Sequence, residues 1–275
     1  MPPTNRRILF INPHADDTEV LYSSTCQAAV EAGFEVHECL SNADEYGTPR
    51  IDFRGRRLAR IRKKEMYKAA QVYGVDASGR PKIILHWLPY IDGHVPFNRE
   101  SINRYRTLIE EIRPWAIFGP DPFFAMDKHP DHIQVGRNYF FALRNIPEDQ
   151  RPRWMFFYQT LKANWVFPYK SEEIEYRARI AHKSQLAPLE MKIFRAVGWI
   201  WKRSVLNHGQ RADKFRKVTF DADSNQINPK KWDCFTRLKV AFWQNFAQIG
   251  YQKPAYFAKP PMQEILADYR KNGWV

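Results

Sequence analysis

The sequence predicts an α/β fold: a Rossmann-like, mostly parallel sheet with helices on both faces, followed by a C-terminal extension. Three observations predict it. From residue 7 to about residue 159, short apolar runs alternate with stretches of helical character, the mark of βαβ units. Several of the runs are continuous rather than alternating, as in strands buried on both faces. Two segments dense in histidine and aspartate, Pro13–Asp17 and His129–His132, each follow such a run. Ligands of open parallel sheets sit there, beyond the carboxyl ends of the strands.

Each element has its own warrant. Arg7–Asn12 (RILFIN) is an apolar run suited to a buried strand. Thr18–Gly33 is a helix carrying Val20, Leu21, Ala28, Ala29 and Val30, stopped near Gly33. Phe34–Leu40 alternates and makes a second strand. Arg56–Gly74 is a helix with Leu58, Ile61, Ala69 and Val72 on one face. Lys82–Leu88 (KIILHWL) is the third strand, and Ser101–Ile112 a helix that Pro114 helps to end. Trp115–Phe118 is the fourth strand, His132–Leu143 a helix, and Trp154–Gln159 (WMFFYQ) the fifth strand. Crossovers between parallel strands should be right-handed. Beyond about residue 220 the pattern weakens. Asp221–Lys231 is polar and turn-like, Lys239–Ile249 reads as a short amphipathic helix, and Pro254–Pro261 as a loop. The expected organisation is a core domain over 1–220 and a basic, aromatic-rich extension over 221–275 packed on it.

A chain of 275 residues can bury the core of one large α/β domain. Cys26, Cys39 and Cys234 lie far apart without a CxxC pair. That argues against a disulfide framework or a cysteine zinc site and suits buried thiols in a reducing compartment. The run after Arg6 and Arg7 is too short for a signal peptide. No stretch approaches the roughly 20 apolar residues of a membrane span. The expected setting is cytoplasmic. The net charge of +13 is uneven: −5 over residues 1–50, +6 over 51–176 and +12 over 177–275. A localised basic field attracts nucleic acid, anionic lipid or acidic glycan, or is a solvated surface that aids solubility.

The two His/Asp segments carry the chemistry. His14 and Asp17 are three residues apart on a loop turning into a helix, so both can reach one point. His132 begins another helix and can add a third ligand. Two imidazoles and a carboxylate with open positions suit zinc or another divalent first-row metal. Metal-bound water becomes a nucleophile near neutral pH. Asp16 is placed to take its proton. His129 can stabilise an oxyanion or protonate the leaving group, and Asp131 can orient a histidine. A lone loop histidine or a helix-capping aspartate would be unremarkable. Six such residues in two clusters at two strand ends point to a metal-dependent hydrolase.

PHADDTE resembles the HPDD-type signature of the PIG-L/LmbE-like, zinc-dependent N-acetylglucosaminyl deacetylases, and HPDH resembles their second signature. Arg62-Lys63-Lys64-Glu65, with Ala69-Ala70 and Tyr73-Gly74-Val75, is similar to the family's R-x-x-E helix. Asp92-Gly93 resembles its Asp-Gly after the third strand. Ala181-His182-Lys183-Ser184-Gln185 is close to its His-x-Ser-Gln segment, and Ala212-Asp213-Lys214-Phe215 is a weaker echo. The resemblance spans about residues 5–220. It implies zinc held by His14, Asp17 and His132, Asp16 as base, and His129 as oxyanion or acid group. It makes Arg62 and Asp92 candidates for sugar binding; their plainer readings are an exposed helix arginine and a turn aspartate. The chain departs from the pattern at Ala15, where the family has proline, with Pro13 before the histidine instead. Asp127-Lys128 also replaces the small or aromatic residues usual before the second signature, which hints at a charged substrate.

Phe194–Leu206 (FRAVGWIWKRSVL) places Phe194, Val197, Ile200, Trp201 and Val205 near one helical face. Such a helix packs on a sheet or lies on an anionic membrane surface. Trp232, Trp243, Lys253 and Lys259 continue the basic, aromatic character, yet no nucleic-acid recognition motif accompanies them. Oligomeric state stays open. Three functional readings stand: an N-deacetylase for an N-acetylglucosamine-type sugar or glycoconjugate, a metal-dependent amidase for a non-sugar amide, and a non-catalytic binder of anionic glycan or lipid.

Overall fold

The computed structural model describes residues 5–48, 50–126, 129–185, 202–221 and 223–225, with the single positions 234, 237 and 267. Its strands are β1 (Arg7–Asn12), β2 (Glu35–Asn42), β3 (Ile83–Tyr90), β4 (Ala116–Pro120), β5 (Trp154–Tyr158), β6 (Trp165–Pro168) and β7 (Ala212–Lys217). Its α-helices are α1 (Ser23–Glu31), α2 (Arg56–Val72), α3 (Arg99–Ile112), α4 (Pro130–Arg144) and α5 (Glu172–Arg179). The strands form one sheet in the order β3-β2-β1-β4-β5-β7-β6. The first five are parallel, and β7 runs antiparallel to both β5 and β6.

Period-two alternation sorts each central strand between two cores. Ile8 and Phe10 face Tyr22, Cys26, Ala29, Ala70 and Tyr73 on the side of α1 and α2. Leu9 and Ile11 face Tyr105, Ile109, Val135 and Tyr139 on the side of α3 and α4. Each such side chain fully removed from water contributes about 1.5–3 kcal/mol. Helices therefore cover both faces, as the continuous apolar runs required. An aromatic cluster of Phe118, Phe156, Phe167 and Phe215 extends the first core across β4–β7.

Three features differ from expectation. The helix expected over Thr18–Gly33 is broken. Thr18–Tyr22 forms a π turn, Tyr22 leaves helical geometry at φ −149°, and α1 starts at Ser23. The apolar periodicity was too sparse to reveal the extra residue. Its end near Gly33 holds, since that glycine adopts φ +74°. Secondly, β6, β7 and α5 were not foreseen. The β7 sequence ADKFRK is mostly charged, and its Asp213 and Arg216 are buried through ion pairs rather than apolarity. Helix α5 is only eight residues long and is capped by Ser171. Thirdly, other element boundaries move by a residue or two, as helix and strand ends commonly do. The segment 194–201, residues 127–128, Trp232, the helix expected at 239–249 and the loop at 254–261 lie outside the described residues. Among the described residues, no helix is long and apolar enough to cross a membrane.

The strand order reverses between β1 and β4, and a crevice opens at such a switch point beyond the strand ends. The Pro13–Asp17 loop follows β1, and His129–His132 leads into α4 after β4. Close backbone packing seats α4: a Cβ on Gly136 would stand 2.6 Å from the Pro120 carbonyl oxygen. Only glycine lets the helix carrying His132 approach the end of β4 so closely.

Candidate metal centre

His14, Asp17 and His132 are all buried, and each offers a ligand atom within 4.8 Å of the other two. They come from the two ends of the switch point. The His14 backbone N–H donates to Asp17 Oδ2 at 2.9 Å, which closes the loop on itself. His132 Nε2 lies 3.4 Å from Asp17 Oδ1. His132 Nδ1 is buried without a hydrogen-bond partner, an uncommon state for a ring nitrogen and one that a cation could relieve. Donor chemistry and burial therefore fit a divalent metal. A second group shares one member: His14, Asp92 and His129 also lie within 4.8 Å of one another. The three rings cluster, with centroids 4.6 Å apart for His14 and His129 and 5.2 Å for His14 and His132.

Asp131 anchors this arrangement. Its Oδ2 accepts from the Gly93 N–H at 2.6 Å and from Asn42 Nδ2 at 3.0 Å, and Oδ1 accepts from the Val95 N–H at 3.3 Å. The same Oδ2 lies 3.2 Å from His14 Nε2, and Asp92 Oδ1 is 3.4 Å from that nitrogen. So Asp131 reaches His14, and Nδ1 remains the ring atom His14 can offer a metal. His129 is the N-cap of α4, and its Nδ1 accepts the Asp131 N–H at 3.2 Å. In the neutral ring the proton then sits on Nε2, which makes that atom a donor.

The electrostatics follow from these contacts. Burial disfavours charge on His14, but hydrogen bonds to Asp131 and Asp92 outweigh it and hold its pKa well above the usual imidazole value. Burial pushes the Asp17 carboxyl up against the opposing pull of His132 and His14. Burial also opposes ionisation of Asp131, yet the bond to His14 wins and its pKa is lowered. A cation bound through His14 Nδ1 would compete with a proton there, so its affinity would be expected to rise with pH.

The remaining expected residues fall close by. Asp16 is buried beside Asp17, and its carbonyl accepts the Val20 N–H at 3.1 Å. Asp92 is buried and accepts the Tyr46 N–H at 3.0 Å. Arg62 is not an exposed helix arginine: it is wholly buried, its guanidinium paired with Asp44. Sequence reasoning missed Asn42, Val95 and Asp44, which hold Asp131 and Arg62. Asn42 closes β2 and Asp44 lies just past it, a parallel-strand end that could have been searched for polar residues.

Beneath the centre lies a buried polar layer. Asn12 Nδ2 donates to Thr18 Oγ1 at 2.9 Å and to Glu38 Oε1 at 2.6 Å, and Thr18 Oγ1 donates to the same Glu38 oxygen at 2.6 Å. Burial and the neighbouring Glu19 charge push the Glu38 carboxyl from 4.5 up to about 8. Between those values the folded chain keeps a proton that the unfolded chain has released. Stability should therefore fall as pH rises through that window, by up to about 1.4 kcal/mol per pH unit. Glu38→Gln should remove the slope. Denaturant midpoints at about pH 5 and about pH 8.5 should differ less in the variant than in the wild type; an equal difference would refute the assignment.

Comparison with known proteins gives three results. Residues 9–142 match the PIG-L family, described as GlcNAc-PI de-N-acetylase. A diacetylchitobiose deacetylase of Thermococcus kodakarensis is 29% identical over 131 residues, 48% of this chain and 46% of the relative. A probable N-acetyl-α-D-glucosaminyl L-malate deacetylase 2 of Bacillus cereus is 24% identical over 152 residues, 54% of this chain and 65% of the relative. The match thus spans about half and about two thirds of these relatives' lengths. Among solved structures, N,N′-diacetylchitobiose deacetylase from Pyrococcus horikoshii superposes with a TM-score of 0.67 at 23% identity, covering 78% of this chain and 84% of that one. At that identity the likeness establishes the fold.

Proposed function

We propose, for a chain whose residues 9–142 match the PIG-L family, that it is a zinc-dependent hydrolase removing the acetyl group from an N-acetylglucosamine-type sugar or glycoconjugate. The observation that carries this reading is the buried His14–Asp17–His132 group at the switch point, with Asp16 and His129 beside it. His14, Asp17 and His132 would hold a divalent ion, which when bound would supply Lewis-acid chemistry and acidify a bound water. Asp16 takes a proton from the attacking water as its oxygen bonds to the acetyl carbonyl carbon. His129, whose Nδ1 accepts the Asp131 N–H, would donate from Nε2 to the developing oxyanion or to the departing nitrogen. The C–N bond breaks, giving acetate and the free amine. Asp131 keeps His14 and the start of α4 in place. Asp92 would meet the sugar, whereas Arg62, wholly buried against Asp44, would hold the loop after β2 in place.

Finer features belong to the same reading. Five arginines (Arg50, Arg54, Arg56, Arg57 and Arg60) fall within eleven residues where Asp52 is the sole acid. They follow the loop whose Tyr46 contacts Asp92, which supports a substrate with an anionic group. The buried free thiols of Cys26 and Cys39 suit a cytoplasmic setting.

Acetate release should be measured side by side on N-acetylglucosamine, diacetylchitobiose and simple acetamides, with chelator and with added zinc. The expected result is release from the sugars, abolished by chelator and restored by zinc. Equal or faster release from simple acetamides would favour a general amidase, and chelator-insensitive release would remove the metal from the mechanism.

A further inference from the structure

The π turn Thr18–Tyr22 directly follows Asp16 and Asp17, and it does not stand alone. Arg179, at the end of α5, is buried and donates from Nε to the Glu19 carbonyl and from Nη2 to the Val20 carbonyl, both at 3.0 Å. Both carbonyls lie inside the π turn, just before the break at Tyr22. In the next turn of chain, His182 is buried with Nε2 3.4 Å from Glu19 Oε2. Neither of its ring nitrogens nor either Glu19 carboxylate oxygen has a hydrogen-bond partner. Two residues on, Ser184 donates its N–H and hydroxyl to Glu65 at 2.9 and 2.6 Å, and its carbonyl accepts from Thr48 at 3.0 Å. Segment 179–184 therefore ties the π turn to α2 and to the loop that supports Asp92.

We infer that Arg179, assisted by His182, is a positioning residue: it holds the π turn in register and so sets where Asp16 and Asp17 point. The physical reason is helical phase. A π turn carries one residue more than an α turn, and one residue of α-helix is about 100° of rotation. If the turn relaxed to α geometry, side chains at its start would swing by about that angle relative to α1. Asp17 would then leave His132. The π form leaves carbonyls poorly served by the helix ladder, and the planar guanidinium fork bridges two of them at once. A lysine ammonium lacks that fork.

The inference rests on the metal reading above, and one experiment separates them. Zn²⁺ dissociation constants would be measured by chelator competition for wild type, Arg179→Met, Arg179→Lys and a matched control, Arg151→Met. Arg151 also donates to backbone carbonyls, those of Leu143, Ile146 and Arg144, at the far end of α4 from His132. Both methionine variants should lower the thermal midpoint of the metal-free protein. Only Arg179→Met should weaken Zn²⁺ binding, by about 10–100-fold as for other outer-shell partners of metal ligands, with Arg179→Lys between it and wild type. Wild-type Zn²⁺ affinity in Arg179→Met, or an equal loss in Arg151→Met, would overturn the positioning role. A wild type that binds no Zn²⁺ would instead overturn the metal reading. Should Arg179→Met fail to fold, Arg179→Lys against Arg151→Lys decides by the same criterion.

Discussion

Asp16→Asn should retain its zinc and lose turnover by about 10²–10⁴-fold, the range general-base catalysis usually contributes. Asparagine keeps the size and polarity of the side chain but cannot accept the proton of an attacking water. The backbone is secured independently: the Asp16 carbonyl takes the Val20 N–H, and the loop closes through His14 and Asp17. The fold and the proposed ligands are therefore expected to survive. Zinc per chain and kcat for acetate release are the two readouts. Zinc near wild type with kcat reduced and KM little changed is the signature of a group that acts in the transition state. Wild-type kcat would dismiss Asp16 as the base.

His132→Ala should produce the opposite pairing, loss of metal together with activity. One of three proposed ligands disappears, so affinity should fall by more than the 10–100-fold typical of outer-shell partners. The change also removes the His132 contact whose pull opposes the burial that raises the Asp17 pKa. Asp17 should then bind its proton more tightly, compounding the loss of affinity. Zinc titration, with circular dichroism to verify the fold, measures this. The result also discriminates between the two groups that share His14. Full retention of zinc in His132→Ala, with loss in Asp92→Asn, would place the ion among His14, Asp92 and His129.

The contrast between Asp131 and Arg62 shows how far sequence reasoning reached. Asp131 was expected to orient a histidine; the ring it meets in the fold is that of His14, more than a hundred positions away. Arg62 falls four residues after Leu58 and seven before Ala69, on the buried face of α2, and is wholly buried against Asp44, although its charge alone reads as exposed. Pattern reading treats a charge as exposed, because burial of an unpaired charge is costly. It cannot see a partner supplied by another segment. The same blindness hid β7, whose Asp213 and Arg216 are buried only because Lys202 and Asp121 meet them.

What the sequence determined by itself is local. Continuous apolar runs specified strands covered on both faces, helical spacing specified the crossovers, and two short His/Asp segments marked the strand ends where chemistry belongs. Burial and period are written in neighbouring residues, so they can be read one segment at a time. The tertiary structure decided what depends on distant pairing: the order that puts β1 beside β4, the common pocket of His14 and His132, the proton held on His14 by Asp131 and Asp92, and the π turn gripped by Arg179. Each of these is a contact between segments whose separation along the chain carries no signal. Their energy exists only once the sheet has closed and excluded water around them.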